Sequence, residues 1–255
     1  MKDYKQLVLM KKKPLITIIT VCKNSQLTIE RTIKSVINQK YKNIEYLIID
    51  GKSEDNTLPI LKKYKSCFRK VISEKDKGIY DAFNKGLKFA KGDLIGFVNS
   101  DDTLKLNALK ILVKYYNKFP DKDFYFGSVK KKWGIIHGYK PWLIHFSWGF
   151  YTSHSTGFFI KRNAAKKVGK YNLKYKYSAD YDYFYRMIVK NKLNGIATKK
   201  NEIFGVFKSG GFSSKVNFLE HLYECTKIRI DNKQPLILVS IIFIIKLLYN
   251  IRRIF

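Results

Sequence analysis

The chain is short of acid, cysteine and proline. Its 255 residues include 20 Asp plus Glu against 50 Lys plus Arg, with 3 Cys and 5 Pro, for a formal net charge of +30. An odd set of widely spaced cysteines (Cys22, Cys67, Cys225) offers neither a disulfide framework nor metal-ligand spacing, so reduced thiols in a cytosolic protein are expected. Few Pro and 15 Gly, beside 45% hydrophobic residues, exclude a collagenous, low-complexity or disordered chain. No internal repeat is visible. The apolar stretch from Pro14 to Val21 lacks a small-residue cleavage site and runs into Cys22-Lys23-Asn24-Ser25, so it reads as a buried strand rather than a signal peptide. The basic excess predicts a polyanionic partner: nucleic acid, an anionic membrane surface or a phosphorylated substrate.

What is present is a strand-helix alternation. Leu15–Val21 is a β-branched run of the kind buried on both faces. Ser25 is a plausible N-cap for a helix carrying Ile29, Ile33, Val36 and Ile37. A second buried strand, Ile44–Asp50, ends in a carboxylate, and the loop Gly51–Asn56 leads to a helix with Leu58, Ile60, Leu61 and Tyr64. Strands at Val71–Glu74 and Leu94–Val98 flank a helix from about Tyr80 to Ala90. This spacing predicts an α/β fold with a parallel sheet and right-handed crossovers. From Asp123 to Ile160 aromatic residues crowd short strand-like pieces; core packing is the first reading, stacking on sugars the second. A helix is expected over Tyr181–Asn191.

In parallel sheets ligands sit beyond the carboxyl ends of the strands. Asp50, Glu74 with Asp76, and Asp101 with Asp102 all fall there, and acids gathered at one edge of so basic a chain point beyond simple helix capping. Adjacent carboxylates closing a buried strand suit Mg²⁺ or Mn²⁺ bound jointly with substrate phosphates.

The succession Ile18–Asn24, Ile48–Thr57, Ser73–Gly86 and Asn99-Ser100-Asp101-Asp102 resembles the family 2 glycosyltransferases. His154–Phe159, Ser178-Ala179-Asp180-Tyr181-Asp182 with Arg186, and Phe207–Ser213 extend the likeness over about residues 14 to 215 in the family's order. The resemblance implies a GT-A fold (a Rossmann-like mixed sheet flanked by helices), a UDP-sugar donor, a Mn²⁺ or Mg²⁺ ion and inversion at the anomeric carbon. It divides the chain into a transferase domain, 1–230, with a nucleotide-binding half near 14–104 and an acceptor-binding half near 105–215. By matching positions, Asp50 receives uracil, whose N3–H suits a carboxylate acceptor. Asp76 helps hold the nucleoside, Asp101 contacts the ribose and Asp102 the metal, while Thr20 and Cys22 lie beside the base and contribute mainly backbone. The family's Glu-Asp pair is Ala179-Asp180 here, which makes Asp180 the candidate base and Asp182 its competitor. His154 and Asp182 are expected near the acceptor.

The run Leu236–Ile245 is short of the roughly 20 residues a span requires. Lys246, Asn250 and Arg253 share one helical face, so 235–255 is expected to lie in a membrane interface with those residues at the headgroups. The sequence thus predicts a peripheral enzyme on the cytoplasmic face of the plasma membrane. Its acceptor would be a lipid-diphosphate-linked saccharide or an oligosaccharide of bacterial surface polysaccharide synthesis, such as O-antigen or capsule. Two alternatives are a nucleic-acid-binding protein, which lacks any binding motif here, and a nucleotidyltransferase, which lacks a Gly-rich phosphate loop after the first strand.

Overall fold

A computed structural model describes residues 12–146, 155–208 and 216–250. Four parallel strands form its N-terminal half: β1 (Ile16–Cys22), β2 (Ile44–Asp50), β3 (Lys70–Ser73) and β4 (Leu94–Phe97). They are joined by α1 (Ile29–Ile37), α2 (Thr57–Lys63) and α3 (Ile79–Phe89). After β5 (Thr103–Leu104) come α4 (Ala108–Lys118), β6 (Phe124–Phe126) and the hairpin β7 (Ser128–Lys131) with β8 (Gly134–Ile136). The chain continues through β9 (Phe158–Lys161), α5 (Arg162–Val168), α6 (Ala179–Tyr185), β10 (Gly195–Ala197), β11 (Ile203–Val206), α7 (Phe218–Asp231) and α8 (Leu236–Tyr249).

The main sheet has seven strands in the order β10-β6-β9-β4-β1-β2-β3. A wholly parallel sheet, the expectation from strand-helix alternation, holds for β1 to β4 and fails at β9, which runs antiparallel to both β4 and β6. The sheet is therefore mixed, as the family resemblance implied, and its two halves share one hydrogen-bonded surface. A second sheet, β5-β11-β7-β8, stands beside the end of β4.

Alternation along β1 explains the unbroken apolar run there. Ile19 and Val21 face a core completed by Phe83 of α3 and Tyr183 of α6, whereas Ile16 and Ile18 face α1 (Ile29, Ile33) and α4 (Leu109, Leu112). Gly86 lets α3 approach that surface, since a Cβ there would stand 2.5 Å from Ile19 Cγ2. Helix α1 starts one turn later than a Ser25 cap would place it. Residues 25–28 form a turn of their own, with Ser25 O accepting from the Thr28 and Ile29 amides at 3.0 and 2.9 Å. The predicted helix at Tyr181–Asn191 is α6 followed by a π-helical turn, Arg186–Lys190.

Helix α8 packs on α7 through Val239, Ile242 and Lys246, spaced i, i+3, i+7. This reverses the expected orientation. Lys246 faces the protein and is 9% exposed, while Ile237, Ile241, Ile244, Leu248 and Tyr249 face outward. Among the described residues no helix is long and apolar enough to cross a membrane; Arg253 lies outside them.

Candidate active site

Strand β1 pairs with β2 on one side and β4 on the other, so the chain order reverses at β1 and a crevice opens beyond the carboxyl ends of these strands. The loops at that edge are fastened to each other. Ser25 N donates to Thr57 Oγ1 at 2.7 Å, Asn24 N to Ser53 Oγ at 2.8 Å, and Glu54 N to Asn24 Oδ1 at 2.9 Å.

Asp50 closes β2 and is fully buried. Its Oδ2 accepts from Ser53 N at 3.0 Å and Ser73 Oγ at 2.6 Å, and its Oδ1 from the Ser53 hydroxyl and Cys22 Sγ. These four donors use the roughly four lone-pair sites of a carboxylate. Cys22 is inert: burial first, then the charge of Asp50, push its thiol well up. Thr20 is equally buried, its hydroxyl paired with Tyr46 Oη at 3.1 Å, so its side chain is committed within the sheet. Asp76 lies against Gly51, where a Cβ would stand 2.8 Å from Asp76 Oδ2. Its partner is Lys85 at 2.6 Å, and Lys85 also meets Glu74 at 3.0 Å and Asp81 at 3.5 Å. Desolvation still pushes the Asp76 carboxyl up, against the pull of Lys85.

The turn after β4 is clamped from α1. Thr32 Oγ1 reaches the carbonyls of Ser100 at 2.9 Å and Asp102 at 2.7 Å, and Arg31 Nη2 that of Asp101 at 2.9 Å. Asp102 is fully buried, with Oδ2 accepting from Thr156 Oγ1 at 2.6 Å and Oδ1 from Lys208 N at 3.2 Å. Asp101 is half-buried and so has the solvent access that Asp102 lacks. Beside them Asn99 gives Nδ2 to Ser155 Oγ at 3.1 Å, while its buried Oδ1 has no hydrogen-bond partner among the described residues. An orphaned acceptor costs about 1–3 kcal/mol, so this oxygen is suited to a ligand hydroxyl or a cation. Among the described residues no three His, Cys, Asp or Glu gather as a metal cage. One or two carboxylates completed by phosphate oxygens is the usual arrangement for Mg²⁺, and the turn fits it.

Asp180 stands in the first turn of α6, half-buried, with Oδ1 accepting from the Tyr181 amide at 2.8 Å. Its charge bears on Tyr80 of α3 and on His221 of α7. Helix α7 props this segment: Glu224 accepts from the amides of Lys176 and Tyr177, and Cys225 Sγ lies 3.7 Å from Ser178 Oγ. His221 keeps solvent access, and desolvation first, then the charge of Lys246, pushes its imidazole pKa down.

Asp182, expected beside the acceptor, is turned into the protein. It is 3% exposed, with Arg186 Nε at 2.8 Å and Asn232 Nδ2 at 3.0 Å, and Arg186 in turn reaches the carbonyls of Val168 and Lys170. Two residues, a little over half a helical turn, separate the two acids' surroundings: Asp180 is half-buried, and Asp182 faces the end of α7. His154 lies outside the described residues. Sequence reasoning passed over Thr32, Lys85, His221 and Glu224. Lys85 had a signal in its i, i+4 spacing from Asp81, but the others act through contacts that no local pattern announces.

The profile of the family described as Glycosyl transferase family 2 matches residues 17–197. Among curated proteins, the UDP-Glc:alpha-D-GlcNAc-diphosphoundecaprenol beta-1,3-glucosyltransferase WfaP of Escherichia coli is 37% identical over 123 residues, covering 43% of this chain and 48% of its own. The chain thus spans about half the length of that relative. Among solved structures, S. aureus TarS bound to UDP superposes with a TM-score of 0.68 at 17% identity, covering 85% of this chain and 64% of its own. A mannosyltransferase from Pyrobaculum calidifontis in complex with GDP-Man and Mn²⁺ gives 0.65 at 14% identity, over 93% and 70%.

Proposed function

The chain belongs to glycosyl transferase family 2, and from that premise we propose an inverting, divalent-metal-dependent transferase that moves a sugar from a UDP-sugar to a lipid-diphosphate-linked or oligosaccharide acceptor in bacterial surface polysaccharide synthesis. One observation carries the reading. Asp50, Asp76 and Asp101 follow strands at the carboxyl edge where strand order reverses, and Asp180, in the first turn of α6, bears by its charge on Tyr80 at the start of α3, four residues after Asp76. The donor name printed for the Escherichia coli relative and the UDP held by TarS support a uridine donor. The family match leaves nothing to favour a nucleic-acid-binding protein or a nucleotidyltransferase.

On this reading the uracil N3–H approaches Asp50 across the exposed Ser73, whose hydroxyl rotates aside and frees Oδ2. Asp76, backed by Lys85, holds the nucleoside. The orphaned Asn99 Oδ1 takes a ribose hydroxyl or a cation. The two acids after it take roles other than those expected: Asp102, sealed beneath Thr156 and Lys208, holds the turn in shape, and Asp101 is the carboxylate for Mn²⁺ or Mg²⁺. Bound there, the ion would stabilise negative charge on the departing diphosphate. Asp180 takes the proton of an acceptor hydroxyl as that oxygen bonds to the anomeric carbon, on the face opposite UDP. The carbon–oxygen bond to the β-phosphate breaks, its electron pair leaves with UDP, and configuration inverts in one displacement. General-base help of this kind contributes typically ~10²–10⁴-fold. The outward apolar face of α8, on a chain of charge +30, supports a location on an anionic cytoplasmic membrane surface.

The test is metal-dependent UDP release from a panel of UDP-sugars, with sugar-diphosphate lipids as acceptors. Asp180→Asn should lose about 10²–10⁴-fold in transfer while binding UDP normally. Wild-type turnover in that variant, or full activity in excess EDTA, would overturn the reading.

A further inference from the structure

Helices α7 and α8 are joined by the short segment Asn232–Pro235 and lie together as an αα-hairpin. Two features of this hairpin are left unexplained by sugar transfer alone. The first is a groove of about 410 Å³ along its seam, open on one side and walled by Thr226 and Ile230 of α7 and Leu236, Ser240, Phe243 and Ile244 of α8. That volume lies within the usual range of ligand sites, about 300–1,000 Å³. The second is a set of basic groups at the end of the hairpin where α7 begins and α8 ends. His221 stands there with its ring nitrogens 3.8 and 3.9 Å from Cys225 Sγ, and the charge of buried Lys246 bears on both. Arg229, 1% exposed, lies toward the opposite end of α7, where its Nη1 donates to Gln234 Oε1 of the connecting segment at 2.9 Å. Cys225 reaches Ser178, two residues before Asp180. Of the two acids whose charge reaches His221, Glu224 is committed to the Lys176 and Tyr177 amides, and the other is Asp180 itself.

The seam therefore leads from an apolar groove to a cationic end beside the base. Lys246 lies about 15 Å along α8 from Leu236, at about 1.5 Å per residue. A linear amphiphile has this same order of parts: hydrocarbon, then phosphate, then reacting sugar. We propose that the α7–α8 seam seats the hydrocarbon chain of a lipid-diphosphate acceptor, with His221 and Lys246 receiving its phosphates and Asp180 its sugar hydroxyl. The occupant is one lipid molecule drawn from the bilayer on which the outer face of α8 rests. A diphosphate matches the cationic end, whereas the outward residues Ile237, Ile241 and Leu248 offer only apolar contact. This inference rests on the transferase reading and adds the identity of the acceptor's tail and the residues that hold it.

The probe is a farnesyl-length diphosphate with a terminal benzophenone, used with the full chain. Photolysis should label the peptides containing Thr226, Ile230, Ser240 and Phe243. Filling the groove by Ser240→Trp should reduce labelling about tenfold, and Lys246→Met or His221→Ala should raise half-saturation by about tenfold, as expected when a charge-assisted contact is lost. The matching benzophenone alcohol, lacking phosphate, should label weakly and ignore the Lys246 and His221 changes. Circular dichroism checks that each variant is folded. Labelling spread evenly over Ile237, Ile241 and Leu248 would mean bilayer contact only and would overturn the proposal. So would a dimer in sedimentation equilibrium that Ser240→Trp dissociates, because the groove would then belong to a second copy. Transfer at equal kcat/KM to long- and short-chain acceptors sinks this inference alone; no transfer at any chain length sinks the transferase reading beneath it.

Discussion

Replacing Asp101 and Asp102 one at a time by asparagine separates metal binding from the integrity of the turn that holds it. Asp102 is fully buried and receives Thr156 Oγ1 at 2.6 Å and Lys208 N at 3.2 Å. Hydrogen bonds to a charged group contribute about 1.5–3 kcal/mol each, neutral ones about 0.5–1.5. An asparagine can keep its carbonyl on the Lys208 amide and turn its NH₂ to the Thr156 hydroxyl, so both contacts survive without their charge. The loss is then about 2 kcal/mol, and at about 2–4 °C per kcal/mol for a chain of this size the Tm falls by about 4–8 °C. Thr156→Val should cost a similar amount, and the double variant should cost less than the sum, because both changes act on one bond. Asp101→Asn, at a half-buried position, should leave the Tm within about 2 °C while abolishing Mn²⁺-dependent UDP binding. Calorimetric unfolding and titration of Mn²⁺ in the presence of UDP read the two effects separately. Asp102→Asn with a wild-type Tm and no Mn²⁺ binding, or Asp101→Asn with full activity, would refute this assignment.

Asp182→Asn should lower stability by about 3 kcal/mol, the lower end for breaking a buried ion pair, with kcat near wild type; urea unfolding beside a transfer assay checks both, and a selective loss of turnover would return Asp182 to the acceptor site. Gly86→Ala should destabilise by about 1–3 kcal/mol through overpacking against Ile19, read from the urea midpoint; an unchanged midpoint would mean that α3 is free to move outward. His145 and His221 both have pKa values pushed below 6.5, by burial first and then by Arg229 and Lys246 respectively. The unfolded chain binds the proton more readily, so their contribution to stability is present above pH 6.5 and is lost as pH falls through the folded values. The urea midpoint should decline below that pH, and a His145→Gln/His221→Gln variant should flatten the decline; identical slopes would refute it.

The sheet edge was legible because its signals are local. Strand β2 was read with its observed bounds, and the reading of β1 was displaced by one residue, since a β-branched run ending in a polar loop has few other uses. Strand β9 was not, because Phe158-Phe159-Ile160 carries no alternation and its antiparallel pairing to β4 joins residues far apart in sequence. Helix α1 was misplaced at its start because Ser25 is used by Thr57 and Ser100, contacts made across the fold rather than along it. The acids of the donor edge could be named from sequence, but their division of labour could not. Whether Asp101 or Asp102 meets solvent depends on Thr156, more than fifty residues away. Likewise the side of α8 on which Lys246 falls was readable from its period, but which side the protein covers was decided by α7.

The pairing of β9 has a consequence for synthesis of the chain on the ribosome. When β4 emerges, β1 is ready on one flank, but its other edge waits for Phe159 and Lys161, which pair with Gly96 and Leu94. Those residues follow about 60 positions later, which at about 5–20 residues/s leaves the edge open for about 3–12 s. An unpaired, wholly buried type of strand such as Leu94–Phe97 is a template for association with another nascent chain during that interval. Slow translation between residues 98 and 157 should therefore lower the soluble yield, and a chaperone that shields strand edges should restore it.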